Sequence, residues 1–201
     1  MLPNLDIENN HTGIIAGIDE VGRGCYSGPV LACCYVLDRH KIPHGINDSK
    51  KISTKKREII YNQIKDTATY GIGMCSVEEI DKLNILQASL LAMQRAYEQV
   101  VSKANIDIAL VDGNKLPTLP CKMQAVIDGD AKFVSIAIAS VIAKVTRDKI
   151  MDGLHIKYPH YAWDKNKGYG TKAHRDGLLT HGVTEYHRKS FAPIAKLLNA
   201  A

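Results

Sequence analysis

Residues 14–36 read IIAGIDEVGRGCYSGPVLACCYV, and their pattern decides the fold around them. An apolar β-forming run leads into two adjacent carboxylates, Asp19 and Glu20. A Gly-Arg-Gly turn at 22–24 follows, and Gly-Pro at 28–29 opens a second apolar run. This order predicts a strand, a charged elbow and a second strand. Carboxylates at the end of a buried strand need a metal ion, a basic partner or a retained proton, so the elbow is either a functional site or a solvated turn.

Two further stretches repeat this form. The apolar run at 106–111 predicts a strand that ends at Asp112, and the run at 122–127 predicts another that is followed by Asp128 and Asp130. Active sites assemble at the carboxyl ends of sheet strands in α/β proteins. Hard divalent cations bind carboxylate oxygens, so the three strand ends together predict an acidic metal site.

The spacing of apolar residues predicts an α/β core at about 13–158 and a basic helical part at about 159–201. The predicted strands are 13–19, 29–37, 70–77, 106–111 and 122–127. The predicted helices are 53–67, 78–83, 85–102, 135–158, about 172–180 and one from about 193. The first two strands are too apolar for a half-exposed edge, so we expect both inside the sheet. In helix 85–102 the stripe Leu86, Leu90, Met93, Tyr97 and Val100 is expected to be core.

Composition limits the class of protein. The chain has 201 residues, of which 45% are hydrophobic and 23% charged, which is enough for a substantial core. No apolar run is long enough to span a membrane, and the first residues lack the pattern of a secretory signal. Five cysteines without CxxC spacing support neither a disulfide framework nor a zinc site. We therefore expect a cytoplasmic protein with reduced, mostly buried thiols.

The net charge of +5 is unevenly distributed. Residues 165–201 carry seven Lys or Arg against Asp176 and Glu185, which accounts for the whole surplus. A second basic cluster lies at 50–57. Clusters of this kind indicate a polyanion such as nucleic acid, or else a solvated helix face.

Seven short stretches form a pattern that is specific in its order and spacing. They are GIDEVGRG at 17–24, NDSKK at 47–51, LNILQASLLAMQRA at 83–96, LVDGNK at 110–115, GD at 129–130, ASVIAKVTRD at 139–148 and KGYGTKAH at 167–174. Together they resemble the ribonuclease HII family, the bacterial type 2 ribonucleases H. The resemblance implies a single domain over 1–201 with a ribonuclease H-like α/β fold. Such a domain has a central mixed sheet of about five strands flanked by helices, with a C-terminal helical extension.

The resemblance also implies the residues of the site. The family's acidic quartet matches Asp19, Glu20, Asp112 and Asp130, which would hold two Mg²⁺ or Mn²⁺ ions during catalysis. Asp19 is expected to be shared by both ions. Successive strand side chains point to opposite faces, so Glu20 joins Asp19 only where the strand ends, or it contributes its backbone carbonyl.

Substrate contacts follow from the same matches. The backbone of Gly22, Arg23 and Gly24 is expected to recognise the 2′-hydroxyl that separates RNA from DNA. Lys50 would contact phosphate. Tyr169 would lie against the sugar of the next, deoxy nucleotide, unless it is simply a packing residue.

The implied activity is that of an endonuclease on the RNA strand of RNA-DNA hybrids. It would also incise duplex DNA at embedded ribonucleotides and leave 5′-phosphate and 3′-hydroxyl ends, and the protein would be a monomer. Two alternatives remain open at this point: a nuclease of the same fold acting on DNA branches, and a hybrid-binding module without catalysis. Two acidic residues lie outside the quartet: Asp128 is expected to face solvent, and Asp148 is expected to lie on a helix surface beside Arg147.

Overall fold

The computed structural model describes residues 2–6 and 8–200 of the chain. Its centre is a five-stranded sheet in the order β3-β2-β1-β4-β5. The strands are β1 (Ile15–Val21), β2 (Val30–Val36), β3 (Tyr70–Cys75), β4 (Ile108–Asp112) and β5 (Lys122–Val126). β1 and β3 run antiparallel to β2, whereas β1, β4 and β5 are parallel to one another. The mixed sheet is as predicted, and β1 and β2 lie inside it.

Helices cover both faces of the sheet. They are α1 (Thr54–Ile64), α2 (Val77–Leu83), α3 (Ile85–Val101), α4 (Val134–Lys157), α5 (Trp163–Asn166), α6 (Lys172–His181) and α7 (Ala192–Ala200). α3 packs on one face of β1 and β2, and α4 packs on the other. In the described residues, no helix is both long and apolar enough to cross a membrane.

The alternation of β1 sets the direction of its side chains. Ala16 and Ile18 belong to the core on the α3 side, and Ile15 belongs to the core on the α4 side. Gly17 also faces α4, at a distance that excludes a side chain: a Cβ there would lie 2.2 Å from the backbone carbon of Ser135. Because side chains two residues apart share a face, Asp19 faces α4 as well.

The C-terminal part packs through an aromatic core against the last turns of α4. Met151, Tyr161, Trp163, Leu178 and Ile194 form this core and are all buried. The backbone also ties this part to the loop after β1, since Gly28 N donates to the Tyr186 carbonyl at 2.8 Å. The C-terminal helices therefore rest on the loop that follows the first two carboxylates.

Several details differ from the sequence predictions. β1 continues to Val21, two residues beyond the predicted end, so both of its carboxylates lie within the strand. α1 ends at Ile64, three residues before the predicted end, and packs against α4 through Ile60.

On α3, the residues Met93, Tyr97 and Val100 are buried as predicted, whereas Leu86 and Leu90 are half-buried. α3 packs closely on β3: Gly73 lies directly against the backbone carbonyl of Ala92, where a side chain would not fit. All five thiols are free, and four of them are buried.

Candidate active site

Asp19 lies at the centre of the candidate site. Its side chain is buried, and its Oδ1 accepts a hydrogen bond from the Glu20 N–H at 2.7 Å. The pKa of Asp19 is raised well above its ordinary value, chiefly by burial and then by the charges of Glu20, Asp112 and Asp130, while a hydrogen bond with Ser140 opposes the shift. The four predicted acidic residues therefore share one electrostatic environment.

Glu20 is balanced by the arginine of the turn that follows it. Arg23 Nη1 lies 3.1 Å from Glu20 Oε1. Burial raises the pKa of Glu20, Arg23 opposes this, and the charge of Asp112 adds to it. β1 ends one residue later, at Val21, and the Glu20 carboxylate lies within electrostatic range of the acids on the neighbouring strand.

Asp112 lies at the end of β4, and Asp130 lies just beyond the end of β5, in the 3₁₀ turn Gly129–Ala131. Asp112 ends β4, and its Oδ1 accepts a hydrogen bond from Gly129 N at 2.7 Å. A Cβ at Gly129 would lie 3.1 Å from that oxygen, so a glycine allows the approach. Asp130 is buried in the short 3₁₀ turn that follows, and Lys50 Nζ lies 3.4 Å from its Oδ2. Burial raises the pKa of Asp130 and Lys50 opposes this rise.

The fit of these residues to metal ions depends on their arrangement and on the chemistry of their donor atoms. Across residues 2–6 and 8–200, no group of three or more His, Cys, Asp or Glu side chains is arranged so that it could hold an ion. Basic side chains are paired with two of the acids: Arg23 with Glu20 and Lys50 with Asp130. The chemistry of the donors nevertheless fits, because carboxylates that repel one another in a buried cleft are ligands for hard divalent cations. That the quartet binds metal stays a prediction.

Two of the predicted substrate residues, Lys50 and Tyr169, line a cleft beside the first two acids. Asp19, Glu20, Lys50 and Tyr169 all line it. A Cβ at Gly24 would lie 3.7 Å from the Tyr169 ring, so the glycine turn and the tyrosine are neighbours. Tyr169 is 44% exposed, which leaves part of its ring free for a ligand.

Sequence reasoning missed three residues of the cleft: Ser49, Ser140 and Lys144. The Ser49 and Ser140 hydroxyls share a hydrogen bond of 2.8 Å, and both residues line the cleft beside Asp19. Ser140 and Lys144 are one helical turn apart in α4, in the stretch ASVIAKVTRD. Their i, i+4 spacing places them on one face and is the signal that could have found them.

Two acidic residues outside the quartet can now be placed. Asp128 is exposed, as expected. The expectation for Asp148 was wrong: it is buried, and Lys144 Nζ donates to its Oδ1 at 2.8 Å. Its partner lies four residues back on the same helix face, whereas Arg147 points into the protein.

The basic clusters need a similar correction. Arg57 donates at 2.6 Å to the carbonyls of Ser49 and Ile52, so its guanidinium is engaged in holding the loop that carries Lys50. Arg188 is fully buried and faces no solvent. Exposed lysines such as Lys50, whose side chain is 81% exposed, remain available to a polyanion.

Comparison with known proteins identifies the family. The sequence model of a family described as ribonuclease HII matches residues 16–194. The chain belongs to the ribonuclease HII family. Ribonuclease HII of Magnetococcus marinus is 51% identical over 203 residues, covering 98% of this chain and 95% of the relative. Ribonuclease HII of Wolbachia pipientis subsp. Culex pipiens is 49% identical over 193 residues, covering 96% and 97%.

Solved structures agree on the fold. The ribonuclease H2 of Pyrococcus horikoshii superposes with a TM-score of 0.73 at 23% identity, covering 93% of this chain and 98% of that one. A ribonuclease HIII, Bst-RNase HIII in complex with Mn²⁺, gives 0.77 at 18% identity, covering 94% and 70%. The predicted ribonuclease H-like fold is confirmed. As a ribonuclease HII, the chain is a ribonuclease H, an endonuclease that acts on RNA-DNA hybrids.

Proposed function

We propose that this ribonuclease H incises duplex DNA at single embedded ribonucleotides as well as RNA-DNA hybrids, and leaves 5′-phosphate and 3′-hydroxyl ends. One observation carries the proposal: the buried Asp19, whose pKa is raised by burial and then by three neighbouring carboxylates, lies in a cleft lined by Tyr169, and Gly24 lies next to that tyrosine. An acidic cluster suited to phosphodiester hydrolysis thus lies beside a glycine turn suited to reading a ribose.

The proposal includes two Mg²⁺ or Mn²⁺ ions held by the quartet Asp19, Glu20, Asp112 and Asp130. When bound, such ions supply an activated water and stabilise the leaving oxygen. The Mn²⁺ in the structure of the related ribonuclease HIII supports this assignment. The charged side chains that line the cleft are Asp19, Glu20, Lys50, Arg57 and Lys144.

The chain's own residues then perform recognition. The backbone of Gly22, Arg23 and Gly24 approaches the 2′-hydroxyl, because glycine leaves no side chain in the way. The exposed part of Tyr169 packs against the sugar of the following deoxynucleotide. Lys50 and the exposed lysines of the C-terminal part contact phosphates, which fixes the duplex in register without reading bases.

Cleavage mapping on a duplex with one ribonucleotide tests the proposal, with and without Mg²⁺. We expect metal-dependent incision at the ribonucleotide. Asp19→Asn should reduce its rate by more than about 100-fold, since groups that merely support metal ligands already contribute about 10- to 100-fold. Asp128→Asn is the matched control: it removes a nearby exposed carboxylate and should stay within about 2-fold of the original rate.

Three results would contradict the proposal. The first is the absence of incision at the ribonucleotide, and the second is undiminished incision by Asp19→Asn. The third is equal cleavage of an all-DNA junction, which would indicate a nuclease that does not need the 2′-hydroxyl. Ligation of the products reports whether the ends are 5′-phosphate and 3′-hydroxyl. A single domain over 1–201, a cytoplasmic location and a monomeric state stay predictions.

A further inference from the structure

Two arginines are fully buried beneath the glycine turn. Arg147 comes from α4, and Arg188 comes from the segment between α6 and α7; both have 0% exposure. In the part of the chain that the structure describes, neither forms an ion pair with a carboxylate. A buried charge is costly unless its donors are satisfied, so the partners of these two guanidiniums show what they are for.

All hydrogen-bond partners of the Arg188 side chain are backbone carbonyls of residues 22–28. Its Nη2 donates to the Gly22 carbonyl at 2.6 Å and to the Gly28 carbonyl at 2.9 Å. Its Nη1 donates to the Arg23 carbonyl at 2.8 Å, and its Nε donates to the Gly28 carbonyl at 3.0 Å. One guanidinium thus binds three carbonyls around the turn.

This arrangement fixes the direction of two peptide groups. A trans peptide is planar, so the N–H of each residue points away from the carbonyl of the residue before it. Because the carbonyls of Gly22 and Arg23 point inward to Arg188, the N–H groups of Arg23 and Gly24 point outward. Both residues are exposed, and within the described chain neither N–H donates to another protein group.

Arg147 supports the same turn from a second side. It donates to the Pro29 carbonyl at 2.9 Å and to the Lys167 carbonyl at 2.8 Å, which connects the turn to the loop carrying Tyr169. Gly22 packs directly on it: a Cβ at Gly22 would lie 2.2 Å from Arg147 Nε.

We propose that Arg188 is a positioning residue for ribose recognition: it holds the Arg23 and Gly24 amides outward so that they bind the oxygen of the 2′-hydroxyl. This inference rests on the proposed function and adds the residue that shapes its recognition turn. Arg188 touches no substrate itself, since the turn lies between it and the cleft.

The segment that carries Arg188 has anchors of its own, so the arginine can be changed without releasing the segment. Asp81 of α2 accepts hydrogen bonds from Lys189 N and Ser190 N, both at 2.9 Å. Arg188 N donates to the Tyr26 carbonyl at 2.8 Å, and this backbone bond survives any side-chain change.

The test is a comparison of binding to two duplexes without divalent metal, one containing a single ribonucleotide and the other all DNA. The unaltered protein should prefer the ribonucleotide duplex. Arg188→Met should reduce that preference by about 10-fold, the equivalent of one to two lost hydrogen bonds, with little change for all-DNA. Arg188→Lys keeps the charge but reaches fewer carbonyls, so its preference should be intermediate. Arg39→Met removes a guanidinium that donates to the Glu8 and His11 carbonyls away from the site and should leave the preference unchanged.

The outcomes separate this inference from the proposed function. If the unaltered protein shows no preference for the ribonucleotide duplex, the proposed recognition fails. If it shows the preference and both Arg188 variants retain it, the inference alone is overturned. If the Arg188 variants lose affinity equally for both duplexes, the inference is also overturned, because that result assigns the amides to phosphate binding. Loss of the folded state in both variants also overturns it, because the guanidinium would then serve stability.

Discussion

A buried histidine pair predicts acid sensitivity in the C-terminal part. His187 is fully buried, and its Nδ1 accepts a hydrogen bond from Thr184 N at 3.0 Å. Its Nε2 lies 3.0 Å from Nε2 of His174, which also accepts from the Trp163 indole at 3.2 Å. These partners require Nε2–H and a bare Nδ1 on His187, the neutral form. His174 in turn faces the Tyr169 carbonyl at 3.0 Å through Nδ1, so the pair supports the loop of a predicted substrate residue.

The size of the effect follows from the pKa of His187. Burial, with a smaller contribution from His174, lowers this pKa from 6.5 to about 4. Because the pKa of His187 is lower in the folded chain, the unfolded chain takes up the proton first as the pH falls. The contribution of neutral His187 to stability is therefore complete above the pKa of the unfolded chain and is lost as the pH falls toward the pKa of the folded chain. At about pH 5 the free energy of unfolding should be lower than at neutral pH by about 2 kcal/mol from this residue alone. That loss corresponds to a decrease of about 4–8 °C in Tm for a chain of this size.

The assay is thermal and denaturant unfolding of the original protein and of His187→Gln at about pH 7.5 and about pH 5. Glutamine retains an N–H donor toward His174 but cannot take up a proton. His187→Gln should therefore lose about 2 kcal/mol less than the original protein between the two pH values. His40→Gln, at an exposed position, is the control and should leave the pH dependence unchanged. Equal pH dependence in the original protein and His187→Gln would refute the reasoning.

Other substitutions test how the site is built. Gly17→Ala forces a methyl group against the backbone of α4 and should lower the free energy of unfolding by about 1–3 kcal/mol, measured by denaturant titration. Gly153 lies in α4 with open space around it, so Gly153→Ala should raise the free energy of unfolding by up to about 1 kcal/mol. A lower free energy of unfolding in both variants would contradict this account of the packing. Lys50→Met should weaken duplex binding and reduce its logarithmic salt slope by about 1; an unchanged slope would remove Lys50 from the phosphate contacts.

The sequence predicted the positions of strands and acidic residues correctly where the local pattern agrees with burial in the fold. Apolar runs ending in carboxylates placed Asp19, Asp112 and Asp130 at strand ends or just beyond, and the structure brings them into one electrostatic environment. The ends of the strands were predicted less accurately. β1 continues to Val21 because Glu20 and Val21 still pair with Ala32 and Leu31 of β2. Pairing with a neighbouring strand is a tertiary property and leaves little trace in local composition.

Charged residues with buried partners could not be placed from the sequence. Arg188 counted toward a basic surface because arginine is rarely fully buried. Its partners are carbonyls of residues 22–28, more than 150 positions away. The prediction that Asp148 lies on a helix surface was wrong for a related reason. Arg147 is its neighbour in sequence, but the helix places Lys144 on the same face, where it binds Asp148. Only the folded chain decides between such partners.

The candidate site depends on the C-terminal part even though its predicted acids all precede α4. α4 contacts the acids through Ser140 and the glycine turn through Arg147, and Arg147 also binds the Lys167 carbonyl before Tyr169. Arg188 completes the support of the turn from the far end of the chain. The acidic cluster and the turn at 22–24, which we propose reads the ribose, are thus held by different segments that meet at α4. A boundary near residue 158 separates core from extension in sequence, but it passes between groups that, under the proposed function, recognise a ribose and its scissile phosphate together.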